Sequence, residues 1–300
     1  MNYTDSISKF FSEYEKKKIV LMSYRTVNQW KKELLVFNDK YRLLTKKDVD
    51  YLAEIYVKLS IIKRWRNNPF LSDRRKDNVS SHSYMFAFVI KNLFDNLIFI
   101  KPNKVSLLLI KKALIHDIGE YRGELLTYAE KIQGKLLSDK YKSIIESKRA
   151  ASLIKNIAFK DFLWVKKWIY IYGQYPIGSY WRNFFKLFDR LESEIHSVYF
   201  SDNNRSLNTI RKMFKLNKSV KNSEVINIYK NRLLSMCHDP YIKMRAGFLQ
   251  DKNLKSIKEK INDATFYFVD FITKMQLNHF LLIKYNYENR SGCDFNHQKK

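Results

Sequence analysis

Glycine, proline and cysteine are all scarce in this chain. Seven glycines and four prolines in 300 residues leave too little punctuation for a many-stranded sandwich or a glycine-rich nucleotide-binding sheet, so helices are favoured. Two cysteines, Cys237 and Cys293, stand far apart and outside any CxxC spacing, which argues against a disulfide framework and against a thiolate zinc site. The first residues lack a basic stretch followed by an apolar one, and the longest apolar runs, such as Phe280 to Ile283, are too short to cross a bilayer. A soluble, unsecreted, cytoplasmic protein in a reducing compartment is the expectation.

Acidic residues are few as well. Thirty Asp and Glu face 56 Lys and Arg, a net charge of +26 that attracts nucleotides, nucleic acid or an anionic surface. Lys, Asn, Ile, Tyr and Phe are abundant together, which an AT-biased genome also produces without selection for binding. Hydrophobic residues make up 45% of the chain and aromatics 15%, enough to fill a sizeable core. An all-α fold is expected.

Residues 1–51 are polar and basic with scattered aromatics (Phe10, Phe11, Tyr14, Trp30), which suggests a basic N-terminal arm of one or two short helices outside the core. From Tyr51 the spacing of Leu52, Ile55, Tyr56, Leu59 and Ile62 predicts a helix running into Arg64 and Trp65, followed by a loop at Asn67–Asn68–Pro69. Asn78 and the serines after it predict an N-terminus with His82 in the first turn of a helix that continues to Ile98. A further helix from Val105 ends at His116–Asp117 before Gly119. Helices are also predicted over 140–157, 162–171 and 180–200, with a break at Tyr175–Pro176 and Asp189 in mid-helix beside Phe185 and Phe188. Beyond 200, a basic helical extension over 201–286 holds helices at about 222–237 and 254–285, and a polar tail closes the chain over 287–300.

Four side chains on three predicted helices offer imidazole nitrogen and carboxylate oxygen: His82, the adjacent pair His116 and Asp117, and Asp189. A divalent cation is bound by this mixture. Adjacent residues of a regular helix point roughly 100° apart, so a His-Asp pair shares a metal most easily at a helix end, where the backbone adjusts. Arg64 has the planar fork that clamps phosphate oxygens, and Glu120, three residues after Asp117, is placed to exchange a proton.

The order His82, His116–Asp117, Asp189 resembles the H…HD…D pattern of the HD-domain superfamily of metal-dependent phosphohydrolases. Five flanking segments are similar, in order, to motifs of the bacterial 5′-deoxynucleotidases and their eukaryotic HD-domain relatives: Ile62 to Trp65, Asn78 to Ser83, Leu114 to Glu120 with Gly123–Glu124, Tyr141 to Ile144, and Lys186 to Glu192. The resemblance covers about residues 52–200. It implies an HD-type helical bundle with basic helical additions at both ends, hydrolysing nucleoside 5′-monophosphates, preferably deoxyribonucleotides, by metal-activated water. It further implies that one divalent ion (Mn, Co, Mg, Zn or Fe) is held by His82, His116, Asp117 and Asp189, that Arg64 contacts phosphate, that Trp65 packs near the sugar, and that Glu120 handles the proton of water. Glu124 falls where the family has Asp after the glycine, one residue early. Ser81 replaces the Glu that usually precedes the first ligand histidine.

Plainer roles exist for several of these residues. Trp65 suits core packing, Arg64 an ion pair, and Glu120 and Glu124 a solvated helix surface. His196, seven residues after Asp189, shares its helix face and suits either a second metal or a nearby acid such as Glu192 or Glu194. The Lys-rich C-terminal helices offer a surface for nucleic acid or simply a solvated face over an aromatic core. Alternative functions are hydrolysis of nucleoside triphosphates or cyclic nucleotides, a metal-dependent nuclease, and a non-catalytic scaffold; a homodimer through the added helices is a further possibility.

Overall fold

A computed structural model describes residues 3–38, 42–65, 71–72, 74–97, 104–123, 125, 139–157, 178–200, 207–250 and 255–293. Among them are ten α-helices and no strand, so the expected all-α class is observed. The predicted helix over 162–171, the break at Tyr175–Pro176, the loop at Asn67–Asn68–Pro69 and Glu124 lie outside the described residues. None of the described helices is long and apolar enough to cross a membrane.

The centre of the molecule is α4, Val79–Asn92, in which nearly every side chain is buried. Past its polar first turns α4 is apolar nearly all round over Tyr84 to Ile90, a pattern that belongs inside a protein, and it is enclosed accordingly. Around it pack α1 (Tyr3–Met22), α3 (Lys46–Leu59), α5 (Lys104–Ile115) and α7 (Gly178–Phe200). Helix α2 (Val27–Leu35) lies on α3, and α6 (Asp139–Ile157) lies on the short 3-10 turn Ile118–Glu120. After α8 (Leu207–Phe214), the long α9 (Asn222–Gln250) and α10 (Lys255–Cys293) cover the outer side of α7.

The N-termini follow local chemistry. Thr26, Thr45 and Asn78 each cap a helix by accepting from the backbone N–H three residues on, and each belongs to a reciprocal capping box with Gln29, Asp48 or Ser81. At the far end of α4 the helix widens into a π-turn over Leu93–Leu97.

Helix α3 spans Lys46–Leu59 rather than running from Tyr51 into Arg64 and Trp65, because the Thr45–Asp48 capping box starts it earlier. Three other elements also depart from the sequence-based expectation. Helix α1 is no peripheral arm, because Ile7, Phe10, Phe11, Tyr14 and Leu21 belong to the main hydrophobic cluster with α4, α7 and α10. Helix α9 passes its expected end near Cys237 and continues through Pro240. Proline inside a helix costs about 3 kcal/mol, and burial of Tyr241 and Met244 just beyond it offsets that cost. Helix α10 runs to Cys293, into the stretch expected as a tail, since neither Pro nor Gly interrupts it before Gly292.

Candidate metal centre

Each prospective ligand is set by a local feature of its element. Asn78 stops the extended chain and starts α4, so His82 stands in the first turn with its backbone N–H on the Asn78 carbonyl at 3.0 Å. Helix α5 ends at Ile115, and Asp117 leaves helical geometry at φ −102° and ψ 15°. That bend lets adjacent side chains meet, as Asp117 Oδ2 lies 3.2 Å from His116 Nε2. Tyr56 of α3 ties the turn down by donating its hydroxyl to the Leu114 carbonyl at 2.8 Å. Asp189 comes from the middle of α7.

These four side chains converge. His82 Nε2 lies 3.0 Å from Asp189 Oδ1, 3.2 Å from His116 Nε2 and 3.4 Å from Asp117 Oδ2. His116 Nε2 lies 3.6 Å from Asp189 Oδ1. His82, His116 and Asp189 each bring one ligand atom within 4.8 Å of the others, and Asp117 touches both imidazoles. The side chain of His82 is fully buried, whereas that of Asp189 is 38% exposed, so the cluster opens to solvent beside α7.

Both imidazoles are oriented by the nitrogen that does not face the cluster. His116 Nδ1 donates to the Ala113 carbonyl at 2.7 Å, and His82 Nδ1 donates to the Glu192 carboxylate. In the neutral form of each imidazole the Nε2 is therefore the lone-pair nitrogen and faces the shared point, the arrangement by which outer partners fix the tautomer of a metal-bound histidine. Phe86 and Phe185 wall the rings, with ring centroids 5.0 and 5.8 Å from that of His116. The donor set of two imidazoles and two carboxylates suits a divalent cation.

Charge balance without a cation has its own signature. Burial lowers the affinity of His116 for a proton, but Asp117 and Asp189 more than reverse this and lift its pKa to about 10. His82 is raised too, against burial and the Arg64 guanidinium, by Glu192 and Asp189. Burial pushes the Asp117 and Asp189 carboxyls upward, yet the two imidazoles hold both below the usual carboxylate range.

Arg64 reaches this region through backbone pairing, and Trp65 follows it. Arg64 N donates to the Asp77 carbonyl at 2.8 Å and Val79 N to the Ile62 carbonyl at 3.1 Å, joining the end of the α3 segment to the start of α4. The buried Arg64 guanidinium acts electrostatically on His82, Asp117 and Glu192. Trp65 adopts φ 63°, a left-handed backbone costing a non-glycine residue on the order of 1 kcal/mol. Its indole is anchored in a second cluster with Leu71, Phe200, Ile210, Met213, Val225 and Tyr229, and stacks on His196 at 5.7 Å. Glu120, on the turn after Asp117, is buried and so is not a solvated helix residue.

His196 is placed apart from the ligands: its Nε2 donates to the Arg75 carbonyl at 3.1 Å and its ring stacks on Phe200. Burial lowers it to about 4, so it stays neutral. Lys112, one turn before His116, is pushed down by burial to about 8 against the pull of Asp117 and Glu146.

A second group, Asp77, His82 and Glu192, also has metal-like spacing. Lys18 of α1 already fills it, with Nζ 2.6 Å from both Asp77 Oδ2 and Glu192 Oε1. The parts of Glu192, Lys18 and Asp77 are absent from the sequence-based site. Glu192 was within reach of it, three residues after Asp189 on the same helical face. Lys18 carried a fainter signal: a charge on the stripe Ile7, Phe10–Phe11, Tyr14, Leu21.

No protein-family model matches this chain, and neither the curated proteins nor the solved structures contain a match to it.

Proposed function

We propose that the chain is an HD-type, divalent-metal-dependent phosphohydrolase, a 5′-nucleotidase acting on deoxyribonucleoside or ribonucleoside 5′-monophosphates. The observation that carries this reading is the convergence of His82 Nε2, His116 Nε2, Asp117 Oδ2 and Asp189 Oδ1 while both Nδ1 atoms are engaged elsewhere. Those four side chains would hold one ion, of Mn, Co, Mg, Zn or Fe. Such an ion supplies a nucleophile at neutral pH and charge against the phosphate oxygens.

The protein's own groups do the rest. Hydrolysis puts the oxygen of water on phosphorus and releases the nucleoside, whose 5′-oxygen takes a proton. Glu120, buried beside the ligand turn, is the carboxylate for that transfer. Arg64 orients the phosphate by its guanidinium fork, and Trp65, fixed by its left-handed backbone and the cluster behind it, bounds the sugar side. Glu124 follows Gly123, whose carbonyl accepts from Arg149 at 2.9 Å, and serves the same acid-base chemistry in this proposal.

Phosphate release from ribo- and deoxyribonucleoside mono- and triphosphates and cyclic nucleotides, each with added Mn, Co or Mg, tests the substrate class. Release from monophosphates, lost in Asp117→Ala, is the expected result. Turnover of triphosphates or cyclic nucleotides alone keeps the phosphohydrolase and replaces its substrate. Salt-sensitive cleavage of single-stranded nucleic acid would move the function to the basic surface.

A further inference from the structure

The buried stripe of α1 carries one charge. Lys18 is fully buried, and its ammonium lies 2.6 Å from Asp77 Oδ2 and 2.6 Å from Glu192 Oε1. The Tyr14 hydroxyl, one turn earlier, donates to the same Glu192 Oε1 at 2.6 Å. The other oxygen, Glu192 Oε2, receives His82 Nδ1–H. Asp77 is held in turn by the Asn78 backbone N–H at 2.8 Å and by the Ser81 hydroxyl. Buried charges persist where they are paired and hydrogen-bonded, and every partner here is within reach.

The geometry has a consequence for the metal centre. With Oε1 committed to Lys18 and Tyr14, the Glu192 carboxylate cannot rotate, and only Oε2 is left for His82. Without the ammonium, Asp77, His82 and Glu192 form a three-ligand group of their own, which would draw a cation to the Nδ1 side of His82. We propose that Lys18 is a positioning residue of the metal centre: as a built-in cation it locks Glu192 onto His82 Nδ1, commits Nε2 to the site shared with His116, Asp117 and Asp189, and keeps a second ion out. This inference rests on the proposed metal site and assigns α1 to it.

Titration of the full-length chain with Co²⁺ alone, followed by its visible d–d bands and by equilibrium dialysis, tests the assignment without using turnover. Wild type is expected to bind one equivalent. Lys18→Met is expected to bind roughly 10–100-fold more weakly, the range for loss of an outer partner of a ligand histidine, with altered bands. In a Glu192→Gln background the same substitution is expected to add little, because Lys18 acts through that carboxylate. Wild-type affinity and bands in folded Lys18→Met, or an equal loss in both backgrounds, would overturn the proposal. Should Lys18→Met not fold, Tyr14→Phe decides: weakened binding with shifted bands supports the lock, and unchanged binding overturns it. Failure of the wild type itself to bind any Co²⁺ would instead remove the metal-site reading, and this inference with it.

Discussion

Burial acts on three histidines of this protein with two opposite outcomes, decided by what each one faces. His196 faces a carbonyl and two aromatic rings and is lowered from an ordinary 6.5 to about 4. The unfolded chain therefore takes up a proton between those values that the folded chain refuses. The stability contribution of His196 is complete above pH 6.5 and falls as pH drops toward 4, by about 3 kcal/mol in all. Urea denaturation at a series of pH values is expected to show this loss in wild type and not in His196→Phe, which keeps the ring stacking; parallel curves would contradict it. His116, raised to about 10, has the reverse sign: its contribution is full below 6.5 and is lost as pH rises toward 10. A cation bound at the proposed site would displace that proton. Metal affinity is expected to rise about ten-fold per pH unit for each proton released, and calorimetry in buffers of different ionisation enthalpy counts those protons. Much of this was readable from residue types in order, since His82, His116, Asp117 and Asp189 do meet. The link from Lys18 to Glu192 spans 174 residues, and no local spacing announces it.

Elements set these distances, and the turn after α5 is the most constrained of them. A Cβ on Gly119 would stand 2.6 Å from the Glu146 carbonyl oxygen and 2.7 Å from its Cα, backbone atoms of α6 that cannot step aside. Gly119→Ala is expected to cost about 1–3 kcal/mol in chemical denaturation and to weaken metal binding by moving Asp117; unchanged stability would show that α6 shifts freely. Helix α1 carries five large apolar side chains into the core, each contributing roughly 1.5–3 kcal/mol, a sum comparable to the whole net stability of a domain. Deleting residues 1–22 is expected to abolish the cooperative thermal transition. The Asn78 cap and the ends of α5 and α7 were legible because they depend on neighbours in sequence. The burial of α1 was not, because its polar face dominates its composition while its apolar stripe is matched only by α4, α7 and α10. Passage of α9 through Pro240 was illegible for a related reason, since packing of Tyr241 and Met244 overrides a local breaker.

At the scale of the whole molecule, one helical core joins the N-terminal helix, the helices that carry the His and Asp cluster and the long C-terminal pair, so the candidate metal centre is supported from both ends of the chain. The net charge of +26 gives the protein a positive field that attracts anions and is screened by salt. The measurement that tests the central claim most directly is phosphate release from a deoxyribonucleoside 5′-monophosphate by the full chain after chelation, and again after a single divalent ion is restored. The expected result is no release in chelator, release on restoring Mn, Co or Mg, and none in Asp117→Ala under either condition. Release that persists in chelator, or that Asp117→Ala retains in full, would contradict the claim that these four side chains hold the ion on which the chemistry depends.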